Sequence, residues 1–168
     1  LIPQRATLFG WALLFPCLYL LYRGAFEKDC RGFLPLGILA GALPLVHTHS
    51  FLTLGLISAF YFGRSILKRE GKAQLLGYLK YAGLVALLAG PQLILFTFRQ
   101  SGSFLRLNWN WDNVSDSFLW FYIKNWGLLF LLLPIAYLDA EPRDRAVYNG
   151  VWLPWLLVET VQFQPNPY

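Results

Sequence analysis

The sequence predicts an all-α fold, a polytopic transmembrane helix bundle of about six helical segments. Two observations carry that expectation. Of the 168 residues, 57% are hydrophobic and only 14% are charged, whereas a soluble domain carries about 25% charged residues. The apolar residues also fall in long runs separated by short charged loops, the pattern of a chain that crosses a bilayer repeatedly. Seven Trp and nine Tyr suit the aromatic belts at the two membrane surfaces.

The runs can be taken in order. Residues 1–5 form a polar lead-in with Gln4 and Arg5, and residues 7–22 are the first apolar run, interrupted by Pro16. A charged loop over 23–32 holds Arg23, Lys28 and Arg31. Residues 33–62 are apolar except at His47-Thr48-His49-Ser50. A basic stretch over 63–72 carries Arg64, Lys68, Arg69 and Lys72. Residues 73–98 read as a span with a kink at Gly90-Pro91. A polar and aromatic loop over 99–117 leads to a span over 118–138, a charged loop over 139–145 and a last span over 146–163 that contains Pro154. The chain begins without Met and ends on a polar Gln-Pro-Asn-Pro-Tyr stretch, so it reads as a single transmembrane domain cut from a longer protein. Cys17 lies in an apolar run and Cys30 in a basic loop, which argues for two free thiols.

The segment 33–62 decides the topology. As one helix its 30 residues would measure roughly 45 Å, too long for a hydrocarbon core of about 30 Å. Turned back at the histidines, it gives two short helices, a broken hairpin at His47–Ser50. Charge agrees with the turn. A single crossing splits the loop Lys and Arg residues seven to five between the two sides, whereas the hairpin splits them nine to three, and cytoplasmic loops are the ones enriched in Lys and Arg. Lys80 and Lys124 lie within spans near an end, from which their ammonium groups can snorkel outward.

This topology gathers the unusual polar residues on the non-cytoplasmic side: Gln4 and Arg5, residues 47–50, Gln92, residues 99–100, 108–113 and 124–125, and residues 159–166. A polar cavity on that side is the expectation. His47 and His49, the only two histidines, share a face if the turn is extended. Two imidazoles there can bind an anion, relay a proton or ligate a metal, or simply hydrogen-bond the broken backbone. No carboxylate lies in the turn to complete a metal site, and no metal is expected. The Arg5 guanidinium suits a phosphate or a lipid headgroup. Trp109, Trp111 and Asp112, in the alternating stretch Asn108-Trp109-Asn110-Trp111-Asp112-Asn113, suit the face and hydroxyls of a sugar, or an interfacial segment anchored by its indoles. Asp112 and Asp116 are the candidate bases of that loop. Glu159 sits near the outer end of the last span, where Lys124 or Arg5 can pair with it. Gly37-x-x-x-Gly41 marks a face for close helix packing. The sequence has no phosphate loop, dinucleotide fingerprint or Ser-His-Asp set, and no basic patch interleaved with aromatics for nucleic acid.

The stretch from Leu36 to Phe51, a Gly-rich apolar helix followed by a short polar break and a second apolar helix, resembles the middle helices of bacterial membrane glycosyltransferases of the GT-C type. Ile2-Pro3-Gln4-Arg5 and Phe163-Gln164-Pro165-Asn166 are similar to segments of uncharacterised members of that set. The resemblance implies a multi-pass protein of the bacterial cytoplasmic membrane. It also implies transfer of a sugar from a polyprenyl-phosphate donor at the non-cytoplasmic face. Its substrate-binding residues would then be Gln4, Arg5, His47, His49, Trp109, Trp111, Asp112, Lys124 and Glu159. The family's catalytic carboxylate matches no position of this chain, and His47 and His49 stand where members commonly carry a Lys. A transporter or lipid flippase is the alternative, as is a non-catalytic membrane subunit.

Overall fold

A computed structural model describes residues 5–97, 106–107 and 116–162, with the side chains of residues 5–6, 96–97, 106–107 and 159–162 left aside. The described chain is all-α apart from one short ladder. It forms two compact units, Leu1–Gln100 and Ser101–Tyr168.

The first unit holds α1 (Arg5–Phe26), α2 (Phe33–Val46), α3 (Thr48–Leu67) and α4 (Lys72–Gln92). The direction of each helix follows from its neighbours. The end of α1 meets the start of α2, where Gly24 faces the Phe33 ring, and the start of α1 meets the α2–α3 junction, where Gly10 faces His47. α1 and α2 are therefore antiparallel. Phe33, at the start of α2, and Phe62, near the end of α3, stack on the same ring, Tyr78, at 4.6 and 5.5 Å between centroids. The chain between them has therefore turned back, as the helix lengths and loop charges require. α4 runs parallel to α2, because Gly37 faces Leu84 and Gly41 faces Leu88.

α2 and α4 pack more extensively than any other pair of described elements, and the reason is the Gly37-x-x-x-Gly41 face. A Cβ at Gly37 would stand 2.8 Å from the Leu84 Cβ, and one at Gly41 would stand 2.6 Å from the Leu88 Cβ. Apolar surface gains little by leaving lipid, so close backbone approach is what holds such helices together. Leu14, Cys17, Leu21 and Ala25 of α1, Leu36, Ala40 and Leu43 of α2, and Leu54 and Ile57 of α3 fill the interior. Phe9, Phe15, Leu34, Ile38, Leu45, Leu79 and Leu87 point outward and are exposed. Outward apolar surface of this kind is compatible with a membrane protein. Residues Thr7–Phe26, Thr48–Leu67 and Lys72–Leu95 are long and apolar enough to cross one. Cys17 and Cys30 are both free thiols.

At Gly90-Pro91, where a kink is expected, helix α4 runs on to Gln92 and widens into a π-helical turn over Leu93–Thr97. Proline has no N–H to offer the preceding turn. The Gln92 amide ties this end of α4 down, donating to the Leu88 carbonyl at 2.7 Å and across to the Gly41 carbonyl of α2 at 3.0 Å.

The second unit holds α5 (Phe118–Trp126), α6 (Leu128–Asp139) and α7 (Pro142–Thr160), with a two-residue antiparallel ladder pairing β1 (Arg106–Leu107) with β2 (Val161–Gln162). Here the structure corrects the sequence reading. Residues 118–138 are not one straight span: α5 and α6 meet at 98° around Gly127, whose backbone sits at φ 57°, ψ −133°, a conformation that side chains oppose. The expected last span, 146–163, is a helix that starts earlier, at Pro142. It carries Arg143, Asp144 and Arg145 in its first turn and is not among the helices apolar enough to cross a membrane. Arg145 donates to the carbonyls of Leu138 and Ala140 at 2.8 and 2.9 Å, closing the end of α6 with a cation where the helix dipole favours one. Tyr122 joins the three helices, packing against Phe118, Trp126, Phe130 and Trp155.

Candidate functional site: the histidine-capped turn

Sequence places the polar break over His47–Ser50, with both imidazoles on an extended backbone. The structure narrows it to one residue. Pro44 weakens the last turn of α2, which closes with the His47 N–H donating to the Leu43 carbonyl at 2.8 Å. His47 alone is extended, at φ −159°, ψ 97°, and Thr48 already begins α3. His49 and Ser50 are therefore in the first helical turn. The rings still meet, with centroids 5.6 Å apart in an edge-to-face arrangement, because one belongs to the cap and the other to the turn it caps.

His47 is the N-cap of α3. Its Nδ1 accepts from the Ser50 backbone N–H at 3.3 Å and lies 2.8 Å from the Ser50 hydroxyl. Ser, Thr, Asp or Asn usually fill this role, through a side-chain oxygen that accepts from the third N–H of the helix. An imidazole can do so only with Nδ1 unprotonated, which leaves the ring proton on Nε2. Burial holds His47 below the ordinary histidine range, and the neighbouring His49 lowers it further. Ser50 is buried, His47 half-buried and His49 exposed.

Gly10 is the residue that the sequence reading missed. A Cβ there would lie 2.5 Å from the His47 Cβ and 2.9 Å from Nδ1, so α1 is notched where the imidazole lies. The same contact brings the start of α1 to the turn. Arg5 lies five residues before Gly10, about 7.5 Å along the axis, at the same end of the unit.

The remaining expected site residues are distributed as follows. Gln4, Trp109, Trp111 and Asp112 lie outside the described residues, as do the side chains of Arg5 and Glu159. Lys124 is on α5, in the second unit. Its ammonium donates to both carboxylate oxygens of Asp116 at 3.0 and 2.9 Å and lies 5.7 Å from the Trp120 ring; the expected pairing of Glu159 with Lys124 or Arg5 lies outside the described side chains. Lys124 and Asp116 are only eight apart in sequence, which makes theirs a local contact. Asp116, a candidate base in the sequence, is thereby committed to an ion pair.

The two described cavities lie away from the turn. One is an apolar groove of about 340 Å³ between α3 and α4, floored by Ser58 and Tyr81, whose hydroxyls are 3.0 Å apart. The other is lined by Pro134, Tyr137, Leu138, Asn149 and Trp152 of the second unit. Among the described residues, no three His, Cys, Asp or Glu side chains converge as a metal site. No protein-family model, no curated protein and no solved structure matches this chain.

Proposed function

We propose that the chain is a multi-pass protein of a bacterial cytoplasmic membrane whose histidine turn holds the phosphate of a polyprenyl-phosphate-linked sugar, on the non-cytoplasmic face, within a glycosyltransferase-like protein. The observation that carries the reading is the cluster at one end of the first unit. His47, with its proton on Nε2, and exposed His49 flank the N-terminus of α3, at the end of the bundle where α1 begins with Arg5. Imidazole N–H groups, a guanidinium and the positive end of a helix dipole all favour a phosphate oxygen. In this reading Arg5 and His47 or His49 hold the phosphate. The catalytic base is not assigned to any residue.

The test is sugar transfer from polyprenyl phosphate in membranes by H47N, H49A and R5A, together with polyprenyl-phosphate binding by the purified proteins. H47N keeps an acceptor for the Ser50 N–H and removes the imidazole, which separates ligand binding from folding. Loss of about tenfold or more in binding by each variant is expected, the size of one or two charge-assisted hydrogen bonds. Full activity and binding in all three would refute the assignment.

One observation favours a second reading, a transporter or lipid flippase. The 98° break at Gly127 is a second interrupted helix, and interrupted helices build the substrate sites of many transporters. Movement of a short-chain lipid phosphate across proteoliposomes without sugar transfer would select it over the transferase.

A further inference from the structure

The end of the first unit opposite the histidines brings together two loops that the sequence keeps about 40 residues apart. Gln74, in the first turn of α4, donates to the Gly24 and Ala25 carbonyls at the end of α1, at 2.9 and 3.3 Å. The Arg64 guanidinium lies 4.8 Å from the centre of the Phe26 ring. The α1–α2 and α3–α4 loops therefore share one end. They bring seven basic side chains, Arg23, Lys28, Arg31, Arg64, Lys68, Arg69 and Lys72, against three carboxylates, Glu27, Asp29 and Glu70.

The carboxylates are already engaged. Arg23 pairs with Asp29 and Glu27, and Arg64 with Glu70 at 3.2 Å. Lys28, Arg31, Lys68, Arg69 and Lys72 are exposed. No described carboxylate forms an ion pair with any of these five.

Backbone strain points to the same residues independently. Among the described residues only two other than glycine have positive φ, Lys28 at 59° and Arg69 at 51°, one at the tip of each loop. Arg69 follows the end of α3, where its N–H donates to the Ile66 carbonyl and the Glu70 N–H to the Ser65 carbonyl, both at 3.0 Å. That is the helix-ending position that glycine fills by default. Both tips thus hold a cation in a backbone conformation where glycine is less strained.

We propose that this end is a collar for anionic phospholipid headgroups, in which Lys28, Arg31, Lys68, Arg69 and Lys72 bind lipid phosphates. The position selects a lipid surface over an acidic soluble partner. Lys68 directly follows the span Thr48–Leu67 and Lys72 opens the span Lys72–Leu95, so these cations lie at headgroup depth. Clusters of four to eight Lys and Arg at that depth attract anionic leaflets. The collar is independent of the histidine turn and of any transferase activity.

The experiment uses the 168-residue chain purified in neutral detergent and titrated with phosphatidylglycerol or phosphatidylcholine. Native mass spectrometry reads retained lipid, and thermal melting is followed at low and high salt. Wild type is expected to retain phosphatidylglycerol preferentially and to melt higher with it, a difference that salt removes. K28G and R69G are expected to melt higher than wild type in phosphatidylcholine, because the strain is gone. Each should nevertheless bind phosphatidylglycerol about fivefold more weakly. The combined K28Q/R31Q/K68Q/R69Q/K72Q chain should lose the preference. Equal retention of both lipids by wild type, or undiminished phosphatidylglycerol binding by both glycine variants, would overturn the proposal.

Discussion

A histidine that caps a helix through Nδ1 ties the cap to its own protonation. The Ser50 N–H needs the lone pair that a proton would occupy. Burial and His49 hold the His47 imidazole below its ordinary range, so the unfolded chain takes up the proton first as pH falls. The cap's contribution is therefore complete above about pH 6.5, the ordinary histidine value, and is lost as pH drops from there through the lower folded value. Melting in detergent between pH 8 and pH 5 should show stability falling on the acid side in wild type. H47N should be flat over that range, and H47A should lie below H47N throughout by about 1 kcal/mol, the usual worth of a cap. Gly10→Ala forces the imidazole out of its notch. It should cost about 1–3 kcal/mol by overpacking, and the same melts read it. His47 was legible in the sequence because an ionisable residue stands out in an apolar run. Gly10 was not, because a glycine in an apolar helix carries no mark of what will lie against it.

Among the elements, what could be read depended on whether composition changes at the break. The turn at His47 interrupts apolar sequence with polar residues and was visible. The turn at Gly127 sits inside residues 118–138, where Trp126-Gly127-Leu128 shows only a glycine, and hydropathy runs through it. Its φ of 57° with ψ −133° is what carries the 98° bend. Gly127→Ala should destabilise the second unit by about 1–3 kcal/mol, the cost of holding a side chain in that region. Tryptophan fluorescence reports it, because Trp126, Trp152 and Trp155 pack together beside the bend. The Gly37-x-x-x-Gly41 face was legible as a packing face, but its partner was not: nothing in the sequence of α4 announces that Leu84 and Leu88 will lie on those glycines. Gly41→Leu should push α4 off α2 and lower stability by about 1–3 kcal/mol or more, whereas Gly83→Ala, inside α4 and meeting open space, should raise it by about 0.5–1 kcal/mol.

Over the whole molecule, hydrophobic length and loop charge predicted a hairpin, because 30 apolar residues exceed one crossing and because Lys and Arg divide unevenly between the loops. Side-chain partners were less legible. Lys124 pairs in the structure with Asp116, a carboxylate eight positions away that the sequence marked only as a candidate base. Because the chain turns back at His47, the histidines and the basic loops are expected on opposite sides of a membrane. Single cysteines at His49, Lys28 and Lys72, introduced after replacing Cys17 and Cys30, can be labelled with a membrane-impermeant maleimide in sealed, oriented vesicles. The cysteines at 28 and 72 should label from one side only and the cysteine at 49 from the other. Labelling of all three from the same side would rule out a hairpin that crosses and returns at His47.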